Sequence, residues 1–185
     1  MNTIKRQEAG FSYVDVMISI TILLVGVMAL IGAITSGINM TTRSQEALAA
    51  KQIASSTVES IFTARDLDTP TFKWEAIGNV GDTAIPSAVF LAGKQNIYPT
   101  AGKDGIIGTA DDGWGVDGIQ GNADDGQPAV AMQREIKITN LIDDDRPTSP
   151  ITLRQIDVII YYYQGAAERQ ETFTSYIANY RIKAS

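Results

Sequence analysis

Two groups of residues in this chain carry charge where charge has chemical consequences. The first is a tandem of aspartates. Asp104-Gly105-Ile106-Ile107-Gly108-Thr109-Ala110-Asp111-Asp112-Gly113 recurs a short way downstream as Asp117-Gly118-Ile119-Gln120-Gly121-Asn122-Ala123-Asp124-Asp125-Gly126. Six carboxylates, those of Asp104, Asp111, Asp112, Asp117, Asp124 and Asp125, fall within this one stretch, with only Lys103 close by. Such crowding is repulsive unless water solvates it or a cation neutralises it. Calcium suits it, because that ion takes about 6–8 oxygen ligands from carboxylates and backbone carbonyls. The same residues also make solvated turns, since glycine accepts positive φ and aspartate caps its own turn. The EF-hand pattern is absent: the acidic residues do not alternate and no Glu follows at the twelfth position. A calcium loop and a solvated, partner-facing loop therefore both stay open. Asp143-Asp144-Asp145 is expected to be a turn.

The second group is Ala9-Gly10-Phe11-Ser12-Tyr13-Val14-Asp15. Asp15 is the last charge before Arg43, and the whole run from Val16 to Thr42 carries none. A carboxylate at the edge of such a segment is costly and calls for a partner or for water. Cleavage after Gly10 would free an amino group on Phe11, four residues before Asp15 and about one helical turn away. Asp15 could neutralise that amine within one molecule or between staggered neighbours. A negative side chain in the first turn also suits the positive end of a helix. The alternative is an interfacial residue that stays in water.

The element that positions Asp15 is long and apolar. The uncharged run exceeds the ~20 residues needed to cross a bilayer core, where a helix satisfies its own backbone. Lys5 and Arg6 precede it, which places the N-terminus in the cytoplasm. A cleaved secretory signal would have a shorter apolar region followed by small residues. Here Ala9-Gly10 lies before the run instead. Gly26, Gly32 and Gly37 permit close helix contacts while weakening the helix. Beyond Arg43, Ala47, Ala50, Ala54, Val58 and Ile61 recur at helical spacing. Asp68-Thr69-Pro70 should end the helix, because the residue before proline avoids the α region. One nearly continuous helix is thus predicted from about Val14 to Arg65, amphipathic in its second half.

Gly10-Phe11-Ser12-Tyr13-Val14-Asp15-Val16, followed by Met17-Ile18-Ser19-Ile20-Thr21-Ile22-Leu23-Leu24-Val25-Gly26, resembles the N-terminal signal of type IV pilin-like proteins. The resemblance covers about the first forty residues and is nearest to minor pilins of the pilus-modification type. It is similar also to minor pseudopilins of type II secretion. It implies cleavage by prepilin peptidase between Gly10 and Phe11, N-methylation of Phe11, and an assembly role for Asp15. The family normally has Glu at that place, so the charge is kept with a reach one methylene shorter. It further implies residence in the bacterial inner membrane, then in a periplasmic or surface filament beside other pilins or pseudopilins. Pilins often have a disulfide near the C-terminus; this chain has no cysteine.

The remaining sequence suggests a modest head. Glu135-Ile136-Lys137-Ile138-Thr139 alternates as a half-buried strand does. Leu153 to Tyr163 is rich in β-branched and aromatic residues, with Ile156, Val158 and Ile160 on one face. Gln164 to Glu168 forms a glycine-containing hairpin loop, and Gln170 to Tyr180 returns. Phe72–Ile77 and Ser87–Leu91 fit either strands or covering loop. The expected class is α+β: a long N-terminal helix packed on a three- or four-stranded antiparallel sheet. The expected divisions are a leader, 1–10; a membrane and filament-core half-helix, 11–42; an amphipathic half-helix, 43–66; and a head, 67–185, with the acidic loop at 103–127.

Composition excludes several functions. The 185-residue chain has a formal charge of −6, and loss of Lys5, Arg6 and Glu8 with the leader makes it one unit more negative. No Lys/Arg cluster exists to hold nucleic-acid phosphates. There is no histidine or cysteine, so zinc sites of Cys/His type and Ser-His-Asp or Cys-His catalysis are absent. The expectation is a non-enzymatic structural subunit. The alternatives are a pseudopilin and a membrane-tethered, non-polymerising calcium- or ligand-binding module.

Overall fold

The computed structural model describes residue 10 and residues 12–67, 69–129, 131–142, 144–145 and 150–179. Helix α1 spans Tyr13–Leu67, 55 residues, and stops where Thr69-Pro70 was expected to stop it. The chain divides into two compact units, with the boundary between Ser44 and Gln45.

In the first unit the helix buries nothing. Its large apolar side chains, from Val14 through Met40, are exposed. Most of its Ser and Thr hydroxyls are satisfied within the helix. Ser19 donates to the carbonyl of Asp15 (2.7 Å), Thr21 to Met17 (2.8 Å) and Thr35 to Ile31 (2.9 Å). Thr41 and Thr42 donate to Gly37 (3.0 Å) and Ile38 (3.1 Å). Each closes onto the carbonyl four residues back, which removes its need for water.

In the second unit α1 packs on an antiparallel sheet of four strands in the order β1-β2-β3-β4. These are β1 Gln95–Asn96, β2 Met132–Leu141, β3 Leu153–Gln164 and β4 Ala167–Ala178. The β2–β3 register runs from Met132 opposite Tyr162 to Leu141 opposite Leu153. The β3–β4 hairpin pairs Gln164 with Ala167, and Gly165 makes its turn at φ 65°. Ala50, Ala54, Val58, Ile61 and Ala64 of α1 meet Ile136 and Ile138 of β2 and Ile156, Val158 and Ile160 of β3 in one core. Alanines at the contact let the helix lie close to the sheet. Thr57 is also fully buried, with its hydroxyl on the carbonyl of Ile53 at 2.8 Å.

The segment after α1 is covering loop. Phe72–Ile77 contains a short 3-10 helix, Trp74–Ala76, and Phe90 makes an isolated parallel bridge with Asn79. Two side chains tie this loop to the sheet. The Asn79 amide donates to the carbonyl of Ile136 and accepts from the N–H of Ile138, both at 2.8 Å. It thereby occupies the edge of β2 that two-residue β1 leaves uncovered, a place where an open strand invites mispairing. Arg154, 5% exposed, lies over the Trp74 ring at 4.2 Å. It donates to Asn140 Oδ1 (2.9 Å) and to the carbonyls of Trp74 (2.7 Å) and Ile77.

Asn79→Ala leaves one amide and one carbonyl of β2 without their partner. The expected loss is about 1–3 kcal/mol, read by urea denaturation of the full chain in micelles. An unchanged midpoint would show that the edge does not depend on Asn79.

Candidate functional site: the helix start and the aspartate–glycine coil

Asp15 has a local structural task at the start of α1. Ser12 is the N-cap: its carbonyl accepts from Asp15 N–H (3.0 Å) and Val16 N–H (3.3 Å), and its Oγ from Val14 N–H (3.4 Å). Asp15 Oδ2 in turn accepts the Ser12 backbone N–H at 3.2 Å. The Asp15 side chain makes the returning half of a capping box, with Asp in the usual Glu or Gln place, while Ser12 Oγ caps the N–H of Val14 and not that of Asp15. Ser12 was not singled out in the sequence, although Ser-x-x-Asp ahead of an apolar run is a recognisable cap signal. Gly10 is exposed and irregular. Phe11 lies outside the described residues, so the cleavage and methylation expectations lie there too.

The aspartate repeat folds as two turns of one coil. Gly113 N–H donates to the Thr100 carbonyl (3.2 Å), and one repeat further on Gly126 N–H donates to the Gly113 carbonyl (2.8 Å). Glycines hold matching left-handed conformations: φ is 66° and 67° at Gly102 and Gly115, and 69° and 72° at Gly105 and Gly118. A Cβ on Gly102 would sit 2.3 Å from the Asp111 carbonyl oxygen and one on Gly115 2.2 Å from Asp124 Oδ2, so these two positions are sterically as well as conformationally restricted.

All six carboxylates accept backbone N–H groups. In the first turn, Asp104 Oδ1 takes Ile106 (2.7 Å), Asp111 Oδ2 takes Asp104 (3.1 Å) and Asp112 Oδ2 takes Gly108 (2.9 Å). In the second, Asp117 Oδ1 takes Ile119 (2.8 Å), Asp124 Oδ2 takes Val116 (3.1 Å) and Asp125 Oδ2 takes Gly121 (2.6 Å). The carboxylates expected as calcium ligands are therefore arranged as turn acceptors. Among the described residues no three acidic side chains gather as a metal-holding group. Asp144 and Asp145 lie in a turn; Asp143 is outside the described residues.

The two turns differ in their surroundings. Ile106 is 1% exposed in the core, whereas its counterpart Ile119 is 61% exposed. Ile107 N–H donates to Ser60 Oγ of α1 at 2.7 Å, which anchors the first turn to the helix. Asp112 pairs with Arg134 of β2 at 2.6 Å, and their side chains are 10% and 3% exposed. Burial pushes the Asp112 carboxyl above its ordinary value and the Arg134 guanidinium below its own, and each partner's charge opposes the other's shift. Arg134 was missed in the sequence. Its signal was the two-residue period that places it on the same face as Ile136 and Ile138.

A cavity of about 230 Å³ lies against this pair. Its walls come from the coil (Asp112, Trp114, Gln120), from β1 (Gln95, Asn96) and from Tyr98. Asp112 Oδ1 is buried without a hydrogen-bond partner.

Asp104 provides a pH test of the coil. Burial first, and then Asp111 beside it, pushes its carboxyl up to about 6, against the opposing Ile106 N–H. The folded value exceeds the ordinary 3.8, so this contribution to stability is full below about 3.8 and is lost as pH rises through about 6. The melting temperature of the native chain should therefore fall more between pH 5 and 7 than that of Asp104→Asn. Parallel profiles would refute the assignment.

No family model matches this chain, and comparison with curated proteins and with solved structures finds no significant similarity.

Proposed function

We propose that this protein is a minor subunit of a type IV pilus or related filament, cut between Gly10 and Phe11 and N-methylated on Phe11. One observation carries the proposal. A negatively charged cap residue, Asp15, opens the one helix among the described residues that is long and apolar enough to cross a membrane. That helix continues into an α+β head. Before assembly the helix anchors the subunit in the bacterial inner membrane, with the N-terminus in the cytoplasm and the head outside. Its partners are prepilin peptidase and the other pilins or pseudopilins of the filament. The role is structural, not enzymatic.

The exposed apolar residues of the first unit support a helix that exchanges lipid for neighbouring helices. The internally bonded hydroxyls support it too, since they need water in neither place. A type II secretion pseudopilin would share every one of these features. The cavity beside Arg134 favours a second reading, a tethered ligand-binding module that does not polymerise.

Two substitutions separate the cap from the charge. Asp15→Asn keeps an oxygen for the Ser12 N–H and removes the charge; Asp15→Ala removes both. Both variants should be cleaved normally in the native host. Both should drop at least about tenfold in the sheared filament fraction, judged by immunoblot. Normal incorporation of Asp15→Asn would reduce Asp15 to a cap. A wild-type chain that stays wholly in the membrane fraction would favour the tethered module.

A further inference from the structure

We infer that the Asp117–Gly118 bond is a site of spontaneous backbone modification, at which aspartate converts to isoaspartate while the other Asp–Gly bonds of the coil are held against the same reaction. The inference is independent of filament assembly.

The chemistry needs two neighbouring residues and water. The Gly118 backbone nitrogen attacks Cγ of Asp117. A C–N bond forms, a C–O bond breaks, and the nitrogen's proton leaves with the hydroxyl as water. A five-membered succinimide results, and water then reopens it. Opening at Cγ restores aspartate. Opening at the main-chain carbonyl routes the backbone through the side-chain methylene and leaves isoaspartate. Glycine in second place favours the attack, because it has no Cβ to shield the nitrogen. The chain has four such bonds, beginning at Asp104, Asp112, Asp117 and Asp125.

What holds the nucleophile separates these four. Gly113 N–H donates to the Thr100 carbonyl at 3.2 Å, and Gly126 N–H to the Gly113 carbonyl at 2.8 Å. Those two bonds stack the turns of the coil, so either nitrogen attacks only after the stacking breaks. Asp112 is restrained a second time, by Arg134 on its carboxylate. Among the described residues no acceptor holds the N–H of Gly105 or Gly118.

Surroundings separate the remaining two. Gly105 and Gly118 have nearly the same φ, 69° and 72°, so local conformation does not distinguish them. Ring closure requires the aspartate to turn about its main-chain and side-chain bonds. At Asp104 the core resists this turn. Ile106 is 1% exposed, and Ile107 N–H is tied to Ser60 of α1 at 2.7 Å. Asp117 is exposed. Its carboxylate accepts only from Ile119 N–H (2.8 Å) and the Asn122 amide (2.7 Å). Both partners lie in the same exposed turn, and a segment with few buried contacts opens without global unfolding. Isoaspartate adds a methylene to the backbone and shortens the side chain by one, which removes the carboxylate from Ile119. The second turn loosens, while Ser60 and Arg134 keep the first in place.

The test is peptide mapping with electron-transfer fragmentation, which distinguishes isoaspartate from aspartate at each position. The full chain in micelles is held for several weeks above pH 7, where Asp104, pushed up to about 6, is mostly ionised and has no advantage as the neutral acid. A second sample is held unfolded in urea. In the folded chain isoaspartate should accumulate at Asp117 at least about fivefold faster than at each of the other three, since one hydrogen bond to be broken first is worth about that factor. In urea the four should react at comparable rates. Asp117→Glu, which cannot close a five-membered ring, should remove the main product and leave the melting temperature unchanged. Equal rates at Asp104 and Asp117 in the folded chain, a faster reaction at any other site, or the same site preference in urea would each overturn the inference.

Discussion

One helix must satisfy two different demands, and the rest of the chain is arranged around that constraint. Up to Ser44, α1 has apolar side chains exposed along its length and no protein core against it. From Gln45 on, it presents alanines and a few branched residues to a sheet. The backbone hydrogen bonds continue from one regime to the other, so side-chain chemistry alone makes the change. In the first half, Ser19, Thr21, Thr35, Thr41, Thr42 and Ser44 turn their hydroxyls back onto the helix. In the second, Thr57 does the same within a core, while Ser60 turns outward to hold the coil at Ile107. The start of the helix faces the same problem in sharper form, because its first N–H groups have no partners of their own. Ser12 Oγ answers it for the N–H of Val14, and the Asp15 carboxylate for the N–H of Ser12.

The head solves a different problem, that of a small sheet with charged residues on its inner face. Arg134 and Arg154 both occupy inward positions, at opposite ends of the Ile136–Ile138 and Ile156–Ile160 rows. Each is compensated by a loop that has little regular structure. Arg154 gathers the carbonyls of the Trp74–Ile77 segment, and Arg134 gathers Asp112 of the coil. Replacing a buried ion pair by apolar residues is often neutral or stabilising. The Arg134–Asp112 pair is thus better understood as fixing where the coil sits than as a source of stability. That placement is also what opens a cavity with polar walls.

Periodic features of the fold were legible in the sequence. The helix was expected over about Val14 to Arg65 and spans Tyr13–Leu67. The β3–β4 hairpin and the buried faces of β2 and β3 followed from two-residue alternation. What stayed hidden depends on backbone partners far away in sequence. β1 is two residues long and carries no alternation of its own. Asn79 behaves as a surrogate strand, which nothing in its neighbours announces. The aspartate tandem was visible as a repeat, but its two turns look alike in sequence and differ in space. Ile106 is in the core and Ile119 is in solvent because only the first turn meets α1. At the N-terminus, the role of Asp15 was framed as charge against amine. The cap it forms with Ser12 adds a structural reason for the same residue.

The central claim is that the mature chain begins at Phe11. Intact-mass measurement with N-terminal fragmentation, on protein isolated from the native cell envelope, tests it most directly. The account predicts a chain that has lost residues 1–10 and carries one added methyl on the Phe11 amine. A chain that retains Met1, or one cut beyond residue 40, would contradict it.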